Sequence, residues 1–357
     1  MEYAGRVLGN GELAEALFQL GESHPAGELR LALMRAAYAV FDLPRELGPA
    51  RRVPEAIPLE VLPTFTMLRG CRTSDALDAA VARLSGGLRA ARIDARAGFL
   101  TAAEVAAALT APAALPAGEL RGAVHFHTRA SDGTASLETM ARTALRGGAA
   151  WSVVSDHTRG LECVNGLDDE GVRRQARALA AWNRRHGDDH RLLHGLEAEI
   201  LADGSLDLPR AARQGVLVLA AIHTGVGDRR DQTGRLLRAL GEPGIWALAH
   251  PQGRLFARRS GIRANWELVF GAAAAAGVLI EINGFPRRQD LDVALIGLAL
   301  ASGCRLVLAS DAHHPRHLAF DRTALALATH AHVPRSVIVN FDPLDRLLDR
   351  LPEGATA

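Results

Sequence analysis

The sequence predicts an α/β chain in which a parallel sheet covered on both faces, either a TIM-like barrel or an open doubly wound sheet, follows an all-helical N-terminal region. Three observations carry this prediction. Seven continuous apolar runs of strand length recur from Ala123 onward. Helix-sized segments separate them, as parallel strands require. Residues 1 to 118 hold few β-branched runs and instead place Ala, Leu and Arg at helical spacing.

In chain order, the helical region offers "GELAEALFQLGE", "ELRLALMRAAYAVFDL", "TSDALDAAVARL" and "TAAEVAAAL", the last two opened by Thr or Ser of the capping type. The Pro- and Gly-rich "APAALPAGELRG" then marks a junction, which gives a helical domain over 1–118 and a second domain over 119–350. The strand candidates are "GAVHFHT", "AAWSVVSDHT", "RLLHGLEAEIL", "VLVLAAIHT", "IWALAHP", "GVLIEINGFP" and "RLVLASDAHH". Between them lie "SLETMARTALRGG", "DDEGVRRQARALAAWNRR", "QTGRLLRALG", "NWELVFGAAAAAG" and "LDVALIGLALASG" as helices. No GxGxxG follows the first strand, which counts against dinucleotide binding.

Composition excludes several functions. A formal charge of +1 over 357 residues indicates neither a nucleic-acid scaffold nor a membrane-surface protein. No apolar run approaches the ~18 residues of a membrane span, and the N-terminus lacks a secretory leader's pattern. Cys71, Cys163 and Cys304 are odd in number and form no CxxC, so reduced thiols in a cytoplasmic protein are expected. All 41 basic residues are arginine. Without lysine there is no Schiff base and no P-loop.

The polar residues at the strand ends carry the chemistry. The first strand ends in His125 and His127, with Asp132 in the loop after it. Alternate residues of a strand point the same way, so the two histidines can share an ion. The second strand ends in Asp156 and His157; the third carries Glu197; the fourth and fifth end in His223 and His250. After the sixth come Asn283, Arg287 and Arg288, and after the seventh Asp311, His313 and His314. Singly, a strand-end histidine is an ordinary rim residue and Asp132 an ordinary turn residue, and Asp156 is equally explained by holding the neighbouring loop. Glu197 inside an apolar strand must be paired or metal-bound. Six imidazoles and three carboxylates at one end of a parallel sheet indicate a metal centre at the face where such folds build active sites. That donor set suits two or three Mn, Zn or Fe ions, and its commonest use is phosphoester hydrolysis. Arg254, Arg287 and Arg288 stand in neighbouring loops with the chemistry to grip phosphate.

The order HxH…SDG…DH…GxE…H…HP…DAH resembles the polymerase and histidinol phosphatase (PHP) domain. It is most similar to the version joined to bacterial family X DNA polymerases, on "SDGTASLE", "GLD", "ILADGSLDLP", "HPQGR" and "INGFPRRQDL". The resemblance covers residues 119–350. It implies a distorted (βα)7 barrel holding three ions: one on His125, His127, Glu197 and Asp311, a second on Glu197, His223 and His250, a third on Asp132, His157 and His313. Glu197, His157 and Asp311 would then be catalytic, with Arg254 and Arg287 on the substrate. The Asp often found two residues before the first histidine is Ala123 here, at a position that is not a ligand.

Residues 1–118 are only vaguely similar to the small helical DNA-binding domain of those polymerases, with "PTFTMLRGCRTSDALDAAVARL" as a worn helix-hairpin-helix. They contain no DxD pair for nucleotidyl transfer, and 12 arginines against 13 carboxylates leave no basic footprint for DNA. The expected activity is therefore phosphoester hydrolysis by metal-activated hydroxide on DNA or nucleotide ends, as a 3′–5′ exonuclease or 3′-phosphatase. The alternatives are a small-molecule phosphomonoesterase, such as a histidinol-phosphate phosphatase, and a non-enzymatic DNA- or partner-binding module. No protein partner is indicated.

Overall fold

The computed structural model describes residues 8–48, 51–87, 94–160, 164–227 and 230–351; Cys163 lies outside them. The chain forms two compact units, one ending at Thr110 and one beginning at Ala111.

The first unit is helical: α1 (Asn10–Ser23), α2 (Glu28–Phe41), α3 (Leu62–Arg69), α4 (Ser74–Leu84) and α5 (Ala102–Ala108). Thr73 and Thr101 cap α4 and α5 through their side-chain oxygens. Apolar residues of α1 and α2, among them Leu17, Phe18, Ala36 and Val40, are fully buried. Arg96 is buried beside them and is held by Glu15 at 2.6 Å and Glu22 at 2.5 Å, with its guanidinium 4.9 Å from the Phe18 ring. A cation buried this deeply persists only with such full pairing.

The second unit contains β1 (Gly122–Phe126), α6 (Leu137–Arg146), β2 (Trp151–His157), α7 (Asp169–His186), β3 (Arg191–Glu199), β4 (Leu217–Ala221), α8 (Thr233–Leu240), β5 (Ile245–Leu248), α9 (Trp266–Ala276), β6 (Leu279–Asn283), α10 (Val293–Ala301), β7 (Leu306–Ala309), α11 (Asp321–His330) and α12 (Leu344–Leu348). The seven strands are parallel and follow chain order. All seven are the strands the apolar runs predict. The β3–β4 connection departs from the alternation, with a 3-10 turn at Arg210–Arg213 in place of an α-helix.

The sheet curls into a nearly closed barrel, which decides between the two predicted architectures. At the C-terminal mouth, β1 and the segment after β7 join through a Phe126–Ala312 bridge, with the His127 N–H donating to Ala312 at 2.8 Å. At the opposite end a side chain fills the gap. The buried Asn340 amide donates to the carbonyls of Gly122 (3.1 Å) and Leu308 (2.9 Å), and its oxygen accepts from the Leu308 N–H (2.7 Å). Asn340 thus serves backbone groups of β1 and β7 that no strand partner reaches.

Val124, Val153, Leu193, Leu219, Leu279 and Val307 fill the interior at that end, with Val339 and Leu347 closing it. A second layer, including Phe126, Val154, Leu192, Met140 and Trp182, lies between the sheet and helices α6 and α7.

Candidate metal centre

The period of two along each strand turns this core into a site. On β2 the interior row is Trp151, Val153, Ser155, His157; on β3 it is Leu193, Gly195, Glu197, Glu199; on β6 it is Leu279, Glu281, Asn283. The lower members pack in the core, and the upper ones bring imidazole, carboxylate and amide groups to the mouth. Alternation with Leu193 and Glu197 puts Gly195 in this row, where a Cβ would stand 2.5 Å from the Val154 carbonyl oxygen.

Simple alternation does not place the two histidines of β1. Val124 faces the interior core and Phe126 the outer layer, although they are two residues apart. The register shifts between them, and His125 has φ 60°. This bulge reverses the parity and turns His125 and His127 into the barrel. His250 and Asp311 also take left-handed backbone, at φ 27° and 51°. Such non-glycine conformations cost on the order of 1–3 kcal/mol each and gather at functional sites.

Glu197, fully buried, is the hub. Its Oε2 lies 3.2 Å from His125 Nε2, 3.5 Å from His127 Nε2 and 3.2 Å from His157 Nδ1. Its Oε1 lies 3.2 Å from His223 Nε2 and 2.7 Å from His250 Nε2. Asp311 Oδ1 stands 3.4 Å from His127 Nε2 and 3.7 Å from His313 Nδ1. Asp132 meets His313 Nε2 at 3.1 Å and His157 Nε2 at 3.6 Å. All nine residues named from the sequence therefore converge. They form four overlapping sets of ion-holding size, in which His125, His127, His157 and Glu197 each belong to two.

The donor chemistry fits divalent metal. His125 Nε2, His127 Nε2, His157 Nδ1 and Glu197 Oε2 are buried, aimed at one region, and without a hydrogen bond. Buried polar atoms are otherwise paired almost without exception, so this convergence is that of ligands.

Electrostatics agrees. Burial disfavours charge in the cluster; at His127 it prevails, whereas at His125, Asp132, Glu197, His223, Asp311 and His313 the opposite charges outweigh it. Glu281, Glu197 and Asp311 hold His125 well above its ordinary range, while Glu197 and Asp311 are driven well below theirs by the surrounding imidazoles. His223 and His313 rise to about 9 against burial, through Glu197 and Asp132 respectively. For His250, burial and the charge of Arg288 prevail and lower it to about 4.

The three arginines named from the sequence have different neighbours. Buried Arg254 is turned to the carboxylate of Asp292 at 3.7 Å, and its backbone N–H donates to Asp290 at 3.1 Å. Arg287 lies over the Phe256 ring at 5.3 Å. Arg288 contacts the ligand set, with Nε 3.2 Å from Asp311 Oδ2. Asp156 takes its loop-holding reading: it accepts from the Thr128 N–H and hydroxyl, Ser131 and Gln175. The His314 ring accepts from the Arg316 N–H at the start of a 3-10 turn.

Comparison with known proteins yields one curated relative and several loosely similar solved structures. The chain is 31 % identical over 213 residues to the DNA polymerase/3′-5′ exonuclease PolX of Bacillus subtilis, a match covering 59 % of this chain and 37 % of that protein. The chain thus spans little more than a third of that relative's length. Homology on this scale, with every ligand-type position filled and convergent, decides the family. The chain carries a PHP domain. A histidinol phosphate phosphatase from Lactococcus lactis, complexed with zinc, L-histidinol and phosphate, superposes with a TM-score of 0.43 and 16 % identity over 58 % of this chain and 92 % of that one. No protein-family model matches.

Two residues of the PHP centre escape the sequence reading. Glu281 Oε2 accepts from His125 Nδ1 at 2.7 Å, and Glu199 Oε2 accepts from His223 Nδ1 at 2.8 Å. Each fixes the ring proton on Nδ1 and leaves the Nε2 lone pair turned to the cluster. The signal was present: Glu281 in "LIEIN" and Glu199 in "GLEAEI" are carboxylates in apolar strands, as Glu197 is.

Proposed function

We propose that this PHP domain hydrolyses phosphate esters with two or three divalent ions, manganese, zinc or iron, and acts on phosphate ends of DNA or nucleotides. The observation that carries the reading is the arrangement around Glu197, whose two oxygens are each faced by imidazoles from different strands. Divalent ions bound there supply Lewis acidity and a more acidic water. The chain's own residues do the remaining work. Glu281 and Glu199 keep two imidazoles in the ligating tautomer. Arg288, beside Asp311, offers a cation to a non-bridging phosphate oxygen. The left-handed backbone at His125, His250 and Asp311 holds three ligands in place before substrate arrives.

The choice of DNA or nucleotide ends is supported by the relative, itself named a 3′-5′ exonuclease. The helical segment 1–118 is then a module apart from the catalytic domain 119–350. Free thiols at Cys71 and Cys304 accord with a cytoplasmic setting. Among the described residues no helix is long and apolar enough to cross a membrane.

The test is purified protein with Mn²⁺ on a single-stranded oligonucleotide and on histidinol phosphate. Shortening of the oligonucleotide supports the reading. Phosphate released from histidinol phosphate alone moves the substrate to small monoesters, and no release from either refutes hydrolysis. Glu197→Ala and His157→Ala abolish turnover; unchanged rates overturn the site assignment.

A further inference from the structure

We propose that the turn Leu255–Arg259, through Arg258 and Arg259, is a second anion subsite that holds the phosphate next to the one being cleaved, so that the mouth selects polynucleotide ends over small monoesters. This inference rests on the phosphoesterase reading above and names its substrate class.

The loops after β5 and β6 are joined into one rim. The Phe256 N–H donates to the Arg287 carbonyl at 2.7 Å, and Asp290 accepts from the backbone N–H groups of Gln252 and Arg254 at 3.0 and 3.1 Å. On this frame a tight hairpin stands out. Leu255 and Arg259 exchange both backbone hydrogen bonds, at 2.9 and 3.0 Å, and the chain reverses at Ala257 with φ 56°. A non-glycine residue in that conformation is strained, and the strain serves to present the two arginines that follow.

Arg254, Arg258, Arg259, Arg287 and Arg288 all stand on this rim. Arg254 is answered by Asp292 and Arg288 by Asp311. Among the described residues, neither Arg258, which is exposed, nor Arg259 has a carboxylate in ion-pair contact. Arg259 commits its Nε to the Gly253 carbonyl at 2.7 Å, so its position is fixed while its terminal nitrogens stay available. Burial lowers its pKa, and so does the positive charge of Arg288 and of Arg258, with Asp290 opposing from a distance.

Arg288 thus stands against the ligand Asp311, and its charge and that of Arg258 both act on Arg259. Gathering like charges without paired counter-ions is unfavourable unless an anion is received there. An ion cluster already answers the first phosphate, so these two arginines are left for a second. A small monoester carries no second phosphate. A nucleic-acid strand carries one at every residue.

The experiment compares wild type with Arg258→Ala/Arg259→Gln on oligothymidylate and on thymidine 3′-phosphate, with Mn²⁺. The ratio of kcat/KM for the oligonucleotide over the monophosphate falls at least tenfold, through KM. Binding of labelled oligonucleotide, followed by anisotropy, weakens, and its log–log salt slope drops by about 0.7 for each phosphate no longer neutralised. Equal effects on both substrates, or an unchanged salt slope, overturn the subsite. If wild type hydrolyses neither ester, the phosphoesterase reading falls, and the anisotropy measurement still decides the subsite. Exposed Arg258→Ala alone carries the test should the double variant misfold, with a smaller drop in the same ratio and slope.

Discussion

Replacing Glu281 with glutamine changes one atom and reverses the direction of one hydrogen bond. Oε1 of Glu281 accepts from the His250 N–H at 3.1 Å and from Asn283 Nδ2 at 2.8 Å, whereas Oε2 accepts only from His125 Nδ1 at 2.7 Å. A glutamine keeps its single oxygen where two donors wait, which turns its NH₂ toward His125. Two donors cannot share that position, so the imidazole moves its proton to Nε2, the atom 3.2 Å from Glu197 Oε2. The lone pair that would ligate is removed. Outer-shell partners of this kind typically contribute tenfold to a hundredfold in metal affinity. Loss of the ligating tautomer belongs at the upper end, about 2.7 kcal/mol. The assay is Zn²⁺ or Mn²⁺ affinity by competition against a fluorescent chelator, with the thermal midpoint of the chelator-treated protein as a control for folding. Affinities within threefold of wild type for every bound ion, with the fold intact, would refute the tautomer argument.

Three other substitutions probe the barrel itself. Asn340→Ala leaves the Leu308 N–H and the Leu308 and Gly122 carbonyls without their side-chain partner, and costs about 2–4 kcal/mol in urea unfolding; a loss below about 1 kcal/mol would show that the barrel does not depend on this closure. Gly284→Ala places a Cβ 1.9 Å from the Phe320 carbonyl oxygen and lowers stability by about 1–3 kcal/mol or more, read as a drop in thermal midpoint, because backbone rather than a mobile side chain must yield. Buried His194 has its pKa pushed down to about 4 by burial, so below its unfolded value near 6.5 the unfolded chain binds the extra proton and stability declines with falling pH. His194→Gln therefore removes about 2 kcal/mol of the loss between pH 7 and pH 5 relative to wild type, and equal losses in the two proteins would count against this burial argument.

The sequence was most informative where a residue's own chemistry conflicts with its surroundings. Apolar runs alternating with helix-sized segments mark the seven strands, since only a sheet covered on both faces needs such runs. Nine imidazole and carboxylate residues at strand ends mark the metal centre, because buried groups of that kind require an ion or a partner. The same rule applied to Glu199 and Glu281 would have found the residues that orient His223 and His125. Among the arginines the sequence had no comparable lever. A guanidinium reaches several ångströms in any direction, so its partner depends on the path of the loop, which brings Arg288 to Asp311, Arg254 to Asp292 and Arg287 over Phe256.

By itself, then, the sequence determined which residues carry the chemistry and which segments form strands, since both derive from side-chain character and local periodicity. Tertiary structure decided whether the sheet closes, which face His125 takes and which carboxylate orients which ring. Closure depends on the Asn340 amide linking chain ends some two hundred residues apart, and the His125 parity depends on a bulge that the alternation of β1 does not encode. Both are set by pairing between segments distant in sequence, where the energy of one register over another comes from packing that local pattern cannot express.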